Sequence, residues 1–282
     1  MPDADQRTPV KPVLDFENVS LRYGDIWALR NVSLLLRPGE TRIILGRAGA
    51  GKTTLIKSVI GLVQVQEGKI RLFNSEVTSM KEHELFPVRS RAGILFQEGG
   101  LFDSLNIGDN VVYPLQNQQA SETMPQEEMD RRVRDVLRFV ELEHTIEKLP
   151  SELSGGMRRR VGIARAIVTE PPLMLYDSPT AGLDPITANT IMTLIAKERD
   201  TRNTASLIVT HRYQDGELMA NFRFDPQRQE LTPVSPEEHS DPKRTRTKFI
   251  VMNEGEIVFF GTRQEIEESR DEYVKRFARH DG

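Results

Sequence analysis

Eight residues constrain this chain more than any others: Gly46-Arg47-Ala48-Gly49-Ala50-Gly51-Lys52-Thr53 fits the pattern G-x-x-x-x-G-K-[ST]. Such a loop works only between a strand and a helix. Its glycines let backbone N–H groups curl around phosphates, and the helix N-terminus adds positive potential. Lys52 is placed to meet β- and γ-phosphates, and Thr53 to ligate Mg²⁺. The flanks agree: Thr41 to Leu45 reads as a strand, and Leu55, Ile56, Val59 and Ile60 in the stretch Lys52 to Gly61 share one helix face. An ordinary glycine-rich turn would not require that context. The glycine spacing is not G-x-G-x-x-G, which disfavours a dinucleotide fold.

Farther on, Leu173 to Tyr176 and Leu207 to Thr210 are short apolar runs of the kind buried parallel strands present. Between them Ile186 to Arg199 reads as a crossover helix opened by Asp184-Pro185. This alternation predicts an α/β fold on a parallel sheet. Ahead of the loop, Val13 to Phe16, Leu21 to Tyr23 and Val32 to Leu36 read as strands, with turns at Gly24-Asp25 and Pro38-Gly39. Pro125 to Val140 predicts an amphipathic helix, and a second helix runs from Ser154, its N-cap, to about Val168. Asn221 to Lys248, rich in charge and proline, reads as a partly mobile surface insertion. A hairpin follows, with Phe249 to Met252 and Ile257 to Phe260 flanking Asn253-Glu254-Gly255-Glu256.

With 282 residues, 38% of them hydrophobic, the chain can bury one large core with a smaller satellite. No apolar run approaches the roughly 20 residues of a membrane-crossing helix. Residues 1–12 are polar, without the apolar centre of a signal peptide, so a disordered tail and a cytoplasmic location are expected. The absence of cysteine removes disulfides and thiolate metal sites. A net charge of −4 gives no footprint for nucleic acid, and Arg158-Arg159-Arg160 is expected to be one solvated helix face.

A phosphate-binding loop leaves many nucleotide-binding families open, and the other motifs choose among them. In Leu153-Ser154-Gly155-Gly156-Met157, two glycines at a helix N-terminus expose backbone donors and Ser154 adds a hydroxyl, which suits a γ-phosphate. Alone, a plain serine-capped helix would explain it equally. It stands in order with Tyr23 ahead of the loop, Gln97 after the strand Gly93 to Phe96, Asp177 ending an apolar strand, Ala181-Gly182-Leu183-Asp184, and His211 after another strand. From Val13 to Phe260 this succession resembles the ABC ATPases.

The resemblance implies an ABC-type P-loop ATPase over 13–265, with an N-terminal antiparallel β subdomain, a RecA-like parallel core and a helical signature subdomain at about 98–170. The insertion would lie at about 221–248, and 266–282 would form a C-terminal helical tail. It implies that Tyr23 stacks on adenine, Gly46 to Thr54 hold the phosphates, and Thr53, Gln97 and Asp177 serve Mg²⁺. Gln97 would also touch the attacking water and relay nucleotide state, and His211 would reach the γ-phosphate. Ser154, Gly155, Gly156 and Asp184 would act across a dimer interface, because each site of such proteins is closed by the opposite subunit. The implied cofactors are ATP and Mg²⁺. The implied partners are a second ATP-binding subunit, identical or different, and transmembrane permeases that hold the protein on the cytoplasmic side of the inner membrane, with no nucleic acid.

A closer likeness lies in Leu95-Phe96-Gln97-Glu98-Gly99-Gly100-Leu101-Phe102-Asp103-Ser104, Asn106-Ile107, Asp109-Asn110-Val111, Pro150 to Arg160 and Asp184-Pro185-Ile186-Thr187. Together these are similar to the Mla/Mce branch, transporters of phospholipid and other lipids. That branch implies an Mce-type lipid-binding partner and a permease docked on the segment after the glutamine. One position departs from the family. Where it places a glutamate after the Walker B aspartate, this chain has Ser178 in Tyr176-Asp177-Ser178-Pro179-Thr180. That glutamate polarises the attacking water, and a general base is worth about 10² to 10⁴ in rate. A serine hydroxyl cannot take the proton at neutral pH. Three explanations stay open: a degenerate site paired with a competent one, a slow ATPase in which His211 and Gln97 position water, and an engineered change. Alternative functions are a non-hydrolysing regulatory nucleotide-binding module and a soluble ATPase of the same family.

Overall fold

The computed structural model describes residues 11–97, 99–117, 124–235 and 245–278. The chain begins with two long strands, β1 (Leu14–Tyr23) and β2 (Ile26–Leu36), paired antiparallel around the Gly24-Asp25 turn. Val13 to Phe16 and Leu21 to Tyr23, expected as two strands, are thus the ends of one. Register shifts between Phe16 and Val19 accommodate Asn18, whose φ of 51° takes up the irregularity. With β4 (Glu67–Leu72) and β5 (Ser75–Glu76) they form a sheet of order β2-β1-β4-β5.

The second sheet positions the site. Its members are β3 (Thr41–Gly46), β6 (Ala92–Leu95), β7 (Leu173–Asp177), β8 (Ala205–Val209), β11 (Thr247–Asn253) and β12 (Glu256–Gly261), in the order β12-β11-β3-β8-β7-β6. All neighbours are parallel except β12, which turns back antiparallel on β11 as the predicted hairpin. Every residue of β3, β7 and β8 is buried, as their unbroken apolar runs require. The two-residue alternation of β3 divides its side chains: Ile44 joins a core shared with the antiparallel sheet and α1 (Lys52–Val59), while Ile43 and Leu45 join the core beneath the other helices.

Those helices include α3 (Ile107–Gln116), α4 (Gln126–Phe139), α5 (Gly155–Ile167), α6 (Pro185–Arg202) and α7 (Tyr213–Asn221), after a short α2 (Glu82–Arg89). The amphipathic pattern of α4 buries Met129, Val133, Val136 and Leu137 on one face. Of the expected surface insertion, Phe222–Asp225 and Glu230–Pro233 instead form the hairpin β9–β10. Buried Arg199 on α6 ties it down: the guanidinium donates to the Phe222 carbonyl at 3.1 Å, and the neighbouring Asp200 accepts from the Phe224 N–H at 2.8 Å. Residues 236–244 of that stretch, and 1–10 of the expected tail, lie outside the described residues. After β12, α8 (Arg263–Glu267) is closed by a Thr262/Glu265 capping box and is followed by α9 (Glu272–Ala278). Among the described residues no helix is long and apolar enough to cross a membrane.

Candidate nucleotide site

Four neighbouring strands end on the same side of the sheet. The end of β3 carries the phosphate loop, that of β8 carries Thr210-His211, that of β7 carries Asp177-Ser178, and Gln97 follows β6. Ligands of open α/β sheets bind in the crevice outside such carboxyl ends. The sheet therefore gathers residues far apart in the chain, and its register sets Asp177 beside Val209 and Val209 beside Ile44.

The phosphate loop is shaped by missing side chains. Gly51 has φ 100°, and a Cβ there would fall on the Ala28 carbonyl oxygen of β2; at Gly46 it would lie 2.6 Å from the Met252 oxygen of β11. No side chain caps α1, which leaves its first N–H groups for an anion. Lys52 Nζ donates to the Gly46 and Arg47 carbonyls, both at 2.8 Å. Burial pushes the Lys52 pKa down, and the Asp177 carboxylate opposes that shift, so these two side chains sense each other across the crevice. Tyr23, at the tip of the β1–β2 hairpin that packs on the loop through Ala28, is 54% exposed.

The end of β7 differs. Ser178 occupies the left-handed region at φ 53°, donates its N–H to the Val209 carbonyl at 2.8 Å, and turns its hydroxyl to Asp177 Oδ1 at 3.3 Å. Among the described residues no cluster of three or more His, Asp or Glu side chains could hold a metal. Thr53, Asp177 and Gln97 instead offer a hydroxyl, a carboxylate and an amide oxygen, a hard-oxygen set suited to Mg²⁺ completed by phosphate oxygens and water. Gln97 and His211 are exposed at the crevice; Glu98 beside Gln97 lies outside the described residues.

The signature motif lies on the helical subdomain. Ser154 caps α5, accepting from the Met157 N–H at 3.2 Å, while Gly155 stays exposed. Gly156 is required by packing, since a Cβ would meet Thr187 Cγ2 at 2.5 Å. Asp184 caps α6, accepting from the Ile186 and Thr187 N–H groups at 3.1 and 3.0 Å; hydrogen bonds from Thr187, side chain first, hold its carboxyl below the usual range.

The three-arginine run is not one solvated face. Arg159 is buried and donates to the Ser178 carbonyl at 3.0 Å and the Ala181 carbonyl at 3.3 Å, while Arg160 donates to the Val140 carbonyl at 3.0 Å. Arg159 thus fastens the signature helix to the loop after Asp177. A second fastening passed unnoticed in the sequence: buried Asp215 accepts from Thr180 Oγ1 at 2.5 Å and from Thr210 Oγ1 at 2.6 Å, joining that loop to the His211 strand end. Burial pushes the Asp215 pKa up, and these two hydroxyls oppose the shift. Only its acidic type, four residues past His211, could have drawn attention to it.

After Gln97, Arg165 donates to the Gly99 and Gly100 carbonyls at 2.9 and 2.8 Å. Asn110, fully buried, donates to the carbonyls of Phe102, Leu105 and Asn106 and accepts from the Phe102 N–H. The segment so fixed presents Phe102 and Tyr113, 40% and 41% exposed, with ring centroids 4.7 Å apart.

A family model described as "ABC transporter" matches residues 29–181. The methionine import ATP-binding protein MetN of Clostridium tetani is 37% identical over 202 residues, 72% of this chain and 62% of that relative's length. The intermembrane phospholipid transport system ATP-binding protein MlaF of Haemophilus influenzae is 32% identical over 212 residues, 75% of this chain and 79% of the relative. Among solved structures, the ATP-binding cassette MJ0796, a dimer in a post-hydrolysis state bound to ADP and Pi, superposes with a TM-score of 0.72 at 28% identity, over 88% of this chain and 98% of the other. The cbiO1 protein of Clostridium perfringens, part of the ABC transporter complex cbiONQ, gives 0.72 at 26% identity, over 90% of each chain.

Proposed function

This chain belongs to the ABC transporter family, and on that premise we propose that it is the MgATP-binding subunit of a lipid transporter, with phospholipid the leading cargo. The observation that carries the proposal is the common end of β3, β8, β7 and β6, which delivers the phosphate loop, His211, Asp177 and Gln97 to one crevice. There Tyr23 stacks on adenine, the backbone of 46–54 and Lys52 bind the phosphates, and Thr53, Asp177 and Gln97 hold Mg²⁺, which neutralises phosphate charge. Ser154, Gly155 and Gly156 act on the nucleotide of a second cassette, with Asp184 at the shared interface. The exposed Phe102–Tyr113 surface receives a permease, which keeps the protein peripheral at the cytoplasmic face of the inner membrane. Hydrolysis is slow, because Ser178 supplies no base.

The lipid reading rests on the likeness of 95–104, 106–107, 109–111, 150–160 and 184–187 to the Mla/Mce branch and on the MlaF relative; an Mce-type lipid-binding partner follows from it. The methionine import relative, at 37% identity, favours amino-acid import as a second reading. Affinity purification from detergent-solubilised membranes discriminates. A lipid transporter motor brings down a permease together with bound phospholipid. Recovery of a permease whose vesicles take up methionine would replace the lipid reading, and recovery of no permease would remove the transporter reading.

A further inference from the structure

The phosphate loop is braced from a direction that none of its motifs explains. Tyr273, near the start of α9, donates its hydroxyl to the Met252 carbonyl at 3.0 Å. That carbonyl is the one against which Gly46 is packed, and Met252 pairs with Gly46 in the β11–β3 register. The ring of the same tyrosine faces the loop's second residue, with the Arg47 guanidinium carbon 5.5 Å from its centroid. Arg47 has no carboxylate partner among the described residues, so the ring is what orients it.

The brace is itself anchored. Asp271 accepts from the Tyr273 N–H at 2.7 Å and from the Val274 N–H at 3.2 Å, Val274 is buried in the main core, and Phe277 packs edge-on against the Tyr273 ring at 5.2 Å. The turn between β11 and β12 completes the support, as the Gly255 N–H donates to the Ala50 carbonyl at 3.2 Å.

We propose that Tyr273 is a positioning residue of the nucleotide site, through which α9 sets the affinity of the phosphate loop for a nucleoside triphosphate. This rests on the ATP-binding reading above and adds to it a residue far along the chain, outside every recognised motif. The physical reason is preorganisation. A loop whose N–H groups must all point inward binds phosphate best when its backbone is already fixed, and the Tyr273 contacts fix its first two residues. Anything that lifts α9 from the body of the protein weakens nucleotide binding without touching nucleotide.

The test is a titration of the full-length chain with a fluorescent ATP analogue and Mg²⁺, comparing Tyr273→Phe, Tyr273→Ala, Arg47→Ala, the Arg47→Ala/Tyr273→Ala double variant and Lys52→Ala. Tyr273→Ala is expected to weaken binding about tenfold and Tyr273→Phe, which keeps the ring, about threefold. In the Tyr273→Ala background, Arg47→Ala is expected to add less than about twofold, because the two side chains act as one unit. Tyr273→Phe removes a single oxygen and guards against a folding defect, as does a melting temperature measured for each variant. Native affinity in Tyr273→Ala, alongside the expected loss in Lys52→Ala, overturns the brace alone. Full additivity of the two alanine changes overturns the route through Arg47. A native chain that binds no nucleotide overturns the ATP reading and the brace together.

Discussion

The ends of β3 and β7 share one sheet and one crevice, and they are built in opposite ways. Around β3 the backbone itself is the proposed binding group. Gly46 and Gly51 have φ of 154° and 100°, with neighbouring carbonyls filling the space their side chains would need. Around β7 the backbone also enters the left-handed region, at Ser178, yet that residue carries a side chain. A strained backbone of this kind costs about 1–3 kcal/mol. It persists because Val209 accepts its N–H and Arg159 donates to its carbonyl. On the proposed function, nucleotide binding thus rests on main chain that needs glycine at Gly46 and Gly51, whereas the proposed catalytic position is one side chain on a backbone held by Val209 and Arg159. The second kind of function can be lost, or restored, by a single change.

The largest expected effect sharpens that contrast. Ser178→Glu should raise steady-state ATP turnover by about 10² to 10⁴ while leaving nucleotide affinity within about threefold. Rates agreeing within about threefold, roughly 0.7 kcal/mol in barrier, would mean that the serine is not the limitation. The converse change is Gly51→Ala, expected to weaken nucleotide binding about 10²-fold by calorimetric titration, since it adds left-handed strain and a collision with the Ala28 carbonyl. An alanine tolerated there would break the distinction between the two strand ends.

The smallest effect lies on α6 and concerns stability. Glu198 on α6 is buried, which pushes its pKa from 4.5 up to about 7, and its Oε2 has no hydrogen-bond partner. The folded chain keeps a proton there that the unfolded chain releases near 4.5. This contribution to stability is complete below about pH 4.5 and is lost as pH rises through about 7. Between pH 5 and 8, native melting temperature should therefore fall relative to Glu198→Gln, by the equivalent of about 2 kcal/mol, with nucleotide affinity unchanged. A parallel pH course for the two proteins would show that the carboxyl is not held protonated.

How much of this was legible in the sequence depended on the range of the interaction. The phosphate loop, the Ser154 cap and the Asp184-Pro185 helix start are local: each residue's partner lies within a few positions, so a short pattern carries the geometry. The parallel strands were legible because burial on both faces leaves an unbroken apolar run. Arg159 was not, because its carbonyl partners lie 19 and 22 residues ahead and nothing in a run of arginines distinguishes the buried member. Asp215 and Tyr273 belong to the same class, with partners across the fold at Thr180 and Met252. The β9–β10 hairpin hid behind charged residues, since it is held by Arg199 at the Phe222 carbonyl and by Asp200 at the N–H of the deeply buried Phe224 rather than by an apolar repeat.

The place of β3 in the sheet also governs when the site can come into existence. Its two neighbours are β8 and β11, so the strand bearing the phosphate loop is flanked only by segments made long after it, the later of them beginning at Thr247. A chain emerging from the ribosome therefore carries its loop without both flanking strands until β11 has been made. Closing such distant pairings is slow and leaves apolar strand edges open to misassociation in the meantime. Nucleotide capture should await the pairing of β11 with β3, and truncation before β11 should yield a polypeptide that neither binds ATP nor stays soluble.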